Sequence, residues 1–331
     1  MAKKLALLAT GGTIACSPSL NGLVPTLTAT NLLERLSPDL PCEVNPRDIF
    51  MLDSSNIQPE EWRALAAAVD EALHGSDGVV ITHGTDTMAY TASALSFMLA
   101  GIPKPVIITG SQLPLSHPLT DGRSNLLRAM TAALEGVGGV YVSFHDKLIL
   151  GTRCVKTHTT SMDAFSSINT PQAGYFDAEG VHLDYRQPYY PLVDGEGYRL
   201  RATLDPRVFL LKLIPGTSPS VLRFVKQAGY RGLVIEAFGL GGLHYIRRNL
   251  VRALESLSGS GIYVLVVSQC LNEKADLSVY EVGREMMLEY VYSGFDMTTE
   301  TAVCKLMWAL AQDNTGALLK KNLVGEFTEG R

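Results

Sequence analysis

Residues 78–98 read GVVITHGTDTMAYTASALSFM. Val79 to Thr82 is a short β-branched and apolar run that breaks at His83 and Gly84, and the spacing beyond it predicts a helix over about Thr87–Leu99. A buried strand, a polar turn and a longer helix make half of a βαβ unit. Upstream, Trp62, Leu65, Ala66, Val69 and Leu73 recur at three- and four-residue intervals, with Pro59 suited to a first helical turn and Gly75 to an end. Before that, the run Leu5 to Ala9 reads as a first strand, stopped by Thr10, Gly11, Gly12 and Thr13. Downstream, strands are expected at Pro105–Thr109 and Gly139–Phe144, with a helix at about Asn125–Leu134 between them. Stacked units of this kind predict a mostly parallel sheet.

The rhythm changes at Asp146 and Lys147, which separate VYVSF from LILGTRCV and predict an antiparallel hairpin whose second strand ends at Lys156. Proline, glycine, tyrosine and charge then mix without period, which reads as a linker over residues 188–207. Strands at Val208–Leu213, Leu233–Ala237 and Tyr263–Val267 follow, separated by helices at about Ser220–Gln227 and Tyr245–Leu257; helical signals at Thr298–Leu310 and Thr315–Leu323 come last. The expected fold class is α/β in two domains. Residues 1–187 form a larger, mostly parallel sheet with helices and a β-hairpin extension, and residues 208–331 a smaller parallel α/β domain.

With 331 residues, 46% hydrophobic and 18% charged, the chain can bury a core in each domain, so disorder is not expected. The net charge of −5 and the absence of basic runs longer than a pair argue against a nucleic-acid partner. Five widely spaced cysteines with no C-x-x-C argue against a disulfide framework and a zinc site, and for a reducing, cytoplasmic location. No apolar stretch reaches the roughly 20 residues of a membrane span. Lys3, Lys4 and the run after them mimic a signal peptide, but that run is shorter than the roughly 7–15 residues such a segment needs, so none is expected.

Ligands of open parallel sheets bind beyond the carboxyl ends of the strands, and two threonine-bearing loops are predicted there. Gly11 and Gly12 would let backbone N–H groups approach a substrate while Thr13 presents a hydroxyl, which is a nucleophile beside an oxyanion hole. The same residues would also serve as a plain turn with a cap, since threonine and glycine favour both. Neither G-x-G-x-x-G nor a Walker lysine supports a phosphate cradle. At the second exit, Thr85 stands beside Asp86. A threonine hydroxyl needs a proton acceptor at neutral pH. His83 is one candidate, although a histidine at a strand end also reads as a packed, hydrogen-bonded residue. Lys156 is another, should the hairpin fold back over the crevice; otherwise it is a solvated surface lysine.

Six stretches taken together resemble the bacterial-type L-asparaginases, and most of all their cytoplasmic type I branch: ATGGTIA, MLDSSN, VVITHGTDTMAYTASALSFML, KPVIITGSQLP, TRCVKTHTTSMDAF and SGFDMTTETAVCKL. The resemblance implies hydrolysis of L-asparagine to L-aspartate and ammonia without metal or organic cofactor, in a homodimer or dimer of dimers. It implies Thr13 as the nucleophile that forms a β-aspartyl ester, with Thr85, Asp86 and Lys156 as a second catalytic set. Asp53, Ser54 and Ser55, with Asp86, would hold the α-amino and α-carboxylate groups, and Gly12 and Gly84 would line the same site. On the residues alone, Ser54 and Ser55 also suit capping of the helix that begins near Pro59.

The chain departs from the family pattern at Leu23, which stands where a lid tyrosine is usual, and Tyr280 is the residue expected to compensate. Near Cys270, the region that resembles a regulatory asparagine site has Val155 and Glu236 where polar or basic residues are expected. The leading function is therefore an L-asparagine amidohydrolase acting on a free small molecule, with no nucleic-acid or membrane partner. The alternatives are a broader glutaminase-asparaginase, the amidase subunit of a tRNA-dependent amidotransferase, and a non-catalytic asparagine-binding paralogue. The amidotransferase subunit carries an extra N-terminal domain, for which the position of Thr13 leaves no room.

Overall fold

The computed structural model describes residues 3–19, 22–36, 42–184, 198–277 and 289–329. The chain divides into two compact units, Met1–Ser167 with Pro171–Ala202, and Ile168–Thr170 with Thr203–Arg331. Residues 188–197 of the expected linker lie outside the described residues, as does Tyr280.

The first unit runs β1 (Lys4–Gly11), β2 (Cys16–Ser19), β3 (Gly22–Pro25), α1 (Ala29–Glu34), β4 (Glu43–Leu52), α2 (Pro59–Leu73), β5 (Gly78–Thr82) and α3 (Met88–Met98). It continues with β6 (Pro105–Thr109), α4 (Gly122–Glu135), β7 (Gly139–Phe144), β8 (Lys147–Leu150), β9 (Cys154–Lys156), β10 (Phe165–Ser167), β11 (Gly174–Asp177) and β12 (Gly180–Leu183). Eight of these strands form one mixed sheet in the order β12-β11-β8-β7-β6-β5-β1-β4. The neighbours from β4 to β7 are parallel, and those from β7 to β12 antiparallel. Strands β5 and β6 are buried along their whole length, which is why they read as continuous apolar runs rather than alternating ones.

Helix α2 buries Trp62, Leu65, Ala66, Val69 and Leu73, the stripe its spacing predicts. Each large apolar side chain fully buried this way contributes about 1.5–3 kcal/mol. Neither Ser54 nor Ser55 caps it. The helix starts after Gln58, whose N–H donates to the Glu61 carboxylate at 2.8 Å. Helix α3 is buried on nearly every side, consistent with its lack of an amphipathic pattern.

The parallel strands end level with one another: Ala9 pairs with Thr82, and Thr82 with Thr109. Hydroxyls tie this edge together, Thr10 Oγ1 donating to the Thr82 carbonyl and Thr109 Oγ1 to the Ser143 carbonyl, each at 2.8 Å. From β1 the chain passes to β4 on one side, whereas from β5 it passes to β6 on the other. The crevice between β1 and β5 is thus the topological switch point, where ligand sites of such sheets form.

One expectation needs correcting. The hairpin strand that begins at Lys147 ends at Leu150, not at Lys156. A 3-10 turn at Gly151–Arg153 then diverts the chain into β9, which pairs with β10 in a separate two-stranded sheet. The cause is local: a Cβ on Gly151 would lie 2.8 Å from Ser96 Oγ and 3.0 Å from the Val140 carbonyl oxygen, so only glycine lets the chain press this closely against α3.

The second unit holds β13 (Val208–Lys212), α5 (Ser220–Gln227), β14 (Gly232–Ala237), α6 (Leu250–Ser258), β15 (Tyr263–Ser268), β16 (Val291–Ser293), α7 (Thr299–Ala309) and α8 (Thr315–Lys320). Its four strands are parallel in the order β13-β14-β15-β16. Helix α6 starts five residues later than its apolar pattern suggests, because the Asn249 side chain caps it by accepting from Arg252 N at 2.9 Å. In the last part of the described chain, Lys305 and Glu326 form an ion pair at 2.7 Å, both side chains fully buried. Glu326 also accepts the N–H groups of Leu323 and Val324, and Lys305 donates to the Lys321 carbonyl. Buried charges persist only when they are paired and hydrogen-bonded in this way.

Candidate active site

Three loops converge at the switch point, the Gly12 and Gly84 backbones meeting directly and the Ser54 side chain packing on Gly84. A Cβ on Gly12 would fall 2.3 Å from Gly84 N, and one on Gly84 would fall 2.6 Å from Ser54 Oγ. Gly12 N donates to the Leu52 carbonyl at 2.9 Å, and Thr87 Oγ1 to the Ser54 carbonyl at 2.8 Å. The loops after β1, β4 and β5 are therefore packed as one body. Gly12 has φ 74°, a left-handed conformation that favours glycine, and turns the chain into the 3-10 segment Thr13–Ala15. Thr13 is partly exposed at its start, while Ile14 and Ala15 are buried behind it.

Thr85 is buried, and its Oγ1 accepts from Lys156 Nζ at 2.8 Å. The same ammonium contacts Asp86 Oδ1 at 2.6 Å. The Lys156 side chain is 18% exposed and the Asp86 side chain 62%, so the amine is sunk into the first unit while the carboxylate faces outward. Lys156 thus reaches Thr85 despite the altered course of its strand. A pair with one partner this exposed adds little stability; what it does is fix the amine against the hydroxyl.

Asp53, at the exit of β4, accepts from Ser55 N at 2.9 Å and so shapes the 3-10 turn Ser54–Asn56. Ser54 is buried against Gly84, whereas Asp53 and Ser55 are exposed. The Cys16 thiol donates to the Gly12 carbonyl at 3.3 Å. Its pKa is pushed up first by burial and then by the negative charge of Asp53. Leu23 sits on the β2–β3 hairpin that follows this turn and is 53% exposed.

His83 is a packing residue. It is fully buried, with Nδ1 2.7 Å from the Gly84 carbonyl and Nε2 2.9 Å from Thr91 Oγ1. The Gly84 carbonyl can only accept, so the imidazole carries its hydrogen on Nδ1 and Nε2 accepts the Thr91 proton, while Thr91 Oγ1 accepts from Trp62 Nε1 at 3.0 Å. Burial pushes the His83 pKa down to about 4, only partly opposed by the bond to Gly84. The neutral ring buttresses the Gly84 loop from behind.

Of the regulatory positions, Val155 is buried in the first unit and Cys270 is exposed in the second. The Glu236 carboxylate accepts from Thr299 Oγ1 at 2.6 Å and pairs with Lys212 at 3.3 Å within the second unit. No cluster of three or more histidine, cysteine, aspartate or glutamate side chains suited to a metal occurs among the described residues. No helix among them is long and apolar enough to cross a membrane.

Two family models match the chain: asparaginase, N-terminal, over residues 4–189, and the glutaminase/asparaginase C-terminal domain, over residues 207–323. The sequence is 41% identical to an L-asparaginase of Thermococcus kodakarensis over 98% of this chain and 99% of that protein. The solved structure of the thermostable L-asparaginase from that organism superposes with a TM-score of 0.92, covering 99% of this chain and 100% of that one. L-asparaginase I of Vibrio cholerae, at 30% identity, gives 0.86 over 99% and 100%. A glutamyl-tRNA(Gln) amidotransferase subunit of Methanosphaera stadtmanae is 35% identical over 98% of this chain and 77% of that protein. Matched by family models in both units and by full-length relatives of the same two-domain fold, the chain belongs to the asparaginase family.

Proposed function

We propose that the protein hydrolyses L-asparagine to L-aspartate and ammonia through a β-aspartyl ester on Thr13. The observation that carries this reading is the Lys156–Thr85–Asp86 set, held at a strand exit that abuts the Gly12–Thr13 turn. Thr13 Oγ1 adds to the side-chain carboxamide carbon. The Gly12 N–H is already given to the Leu52 carbonyl, so stabilising the developing oxyanion falls to other donors at the site. The tetrahedral intermediate collapses with cleavage of the C–N bond, and the proton lost by Thr13 leaves on ammonia. Water then adds to the ester, the bond to Thr13 breaks, and Thr13 recovers a proton as aspartate departs. Splitting the hydrolysis this way lowers each barrier. Thr85 and Lys156 serve the proton transfers, the hydroxyl carrying the proton and the amine holding it in line.

The α-amino group of the substrate suits Asp53 and Asp86, and its α-carboxylate suits Ser54, Ser55 and the backbone near Gly84. Tyr280 is retained as a proposed contributor on resemblance alone. The same resemblance supports a cytoplasmic homodimer or dimer of dimers as the working assembly, and it brings no cofactor.

Ammonia release from asparagine and glutamine, followed for the wild type, Thr13→Ala and Thr85→Val, tests the reading. Turnover of asparagine well above glutamine is expected, with both variants reduced at least about 100-fold while asparagine binding survives. Preferential use of glutamine would move the protein toward the amidotransferase-like relatives, and binding without turnover by the wild type would refute catalysis.

A further inference from the structure

A third strand exit joins the two that carry threonines. After Thr109, the chain passes through Gly110, whose Cβ would lie 2.3 Å from the His83 carbonyl oxygen, and reaches Gln112. The Gln112 backbone is clamped. Its N–H donates to both oxygens of Asp121, at 3.1 and 3.0 Å, and Leu113 N donates to Asp121 at 3.1 Å. Asn125 Nδ2 braces the same carboxylate at 3.1 Å and the Gly110 carbonyl at 3.0 Å.

The Gln112 side chain bridges the two halves of the catalytic set. Its Nε2 donates to the carbonyls of Thr159 and Ser161 at 3.1 and 2.9 Å, in the loop that starts directly after Lys156 and closes on itself through Thr157 N and the Ala164 carbonyl at 2.8 Å. Two carbonyl acceptors fix which end of the carboxamide points to that loop, because an oxygen there would face them without a proton. Oε1 is thereby turned to Thr85, 3.5 Å from Oγ1. Since Lys156 donates to Thr85, the Thr85 proton must point elsewhere, and Gln112 Oε1 is an acceptor in reach. At 3.5 Å the bond is weak, so the hydroxyl is aimed without being locked.

We infer that Gln112 is a positioning residue: one carboxamide aims the Thr85 hydroxyl and holds the loop that presents Lys156. The inference deepens the amidohydrolase reading and rests on it for its kinetic consequence, while its structural half has a separate readout. In Gln112→Met, which keeps length but has neither donors nor acceptor, kcat for asparagine should fall at least 10-fold with KM within threefold and the melting temperature little changed. Pulse acetylation of Lys156, read by mass spectrometry without any turnover, should rise severalfold, with other lysines unaffected. In Gln112→Glu, kcat relative to the wild type should recover as pH falls and the carboxyl gains a proton to donate to the loop, whereas a residue that merely fills space would give a pH-independent ratio. Lys156 acetylation equal to that of the wild type overturns the proposal, as does an unchanged kcat in an active enzyme. Raised acetylation in a protein that releases no ammonia would sink the amidohydrolase reading and leave the positioning role standing.

Discussion

Gly12 and Gly84 pass so close that a Cβ on the first would lie 2.3 Å from the amide nitrogen of the second and 2.5 Å from its Cα. A methyl group there cannot be accommodated by a side-chain rotation, because both obstacles are backbone. Gly12→Ala should therefore separate the Thr13 turn from the Thr85 loop, adding the strain of a left-handed alanine. Activity should drop by about 100-fold, the scale set by misplacement of a reacting group by an ångström. Ammonia release alongside circular dichroism, to confirm retained secondary structure, checks this.

Lys156→Met separates chemistry from stability. Asp86, which would lose its partner, is mostly exposed and can be solvated, so unfolding in urea should shift by no more than about 1 kcal/mol. Turnover should fall by about 100- to 10,000-fold, the usual contribution of a positioned proton-transfer group. An equal loss of stability and activity would count against the proton-transfer role.

His83 predicts a pH dependence of stability. The folded-state pKa is about 4, below the value of roughly 6.5 for an unfolded chain. Between these values the unfolded state binds more protons, so stability is complete above about pH 6.5 and is lost as pH falls toward 4. The upper bound is about 3 kcal/mol. Urea midpoints measured across this range should decline in the wild type, and His83→Gln should flatten that slope while weakening the contacts to Gly84 and Thr91.

Glu326→Ala should damage the second unit severely, because it strands the Lys305 ammonium in a fully buried site. A loss of about 3–5 kcal/mol is expected. Replacing both partners, Lys305→Met with Glu326→Leu, should recover much of it. Differential scanning calorimetry distinguishes the single from the double variant.

Strands such as Pro105–Thr109 and Gly139–Phe144 are legible to the residue because they are short, apolar and bounded by glycine or proline. What sequence periodicity does not convey is set by non-local contact. The break after Leu150 depends on how tightly Gly151 meets α3, and the three-residue strand β16 is too short to show a pattern. The late start of α6 depends on a cap, since Tyr245 to Arg248 fit a helical spacing but precede Asn249. At the site, the two threonine loops are visible as strand exits, while Lys156 is an ordinary lysine until the family resemblance singles it out. Gln112 follows a predicted strand through a glycine, the same grammar as the other two exits, and lies in the family-like stretch KPVIITGSQLP, but neither signal gives it a role. Its reach to Thr159 and Ser161 depends on the path of a distant loop.

The Lys305–Glu326 pair also bears on how the polypeptide matures. Helix α7 leaves the ribosome ahead of Glu326, the residue that neutralises its buried ammonium. While Glu326 is still in the exit tunnel, the nascent second unit carries an unmatched cation where an apolar interior should close, so packing around α7 waits for the later segment to emerge. A chain cut between the two residues would keep the Lys305 ammonium in water rather than bury it unpaired, leaving the apolar surface around α7 open.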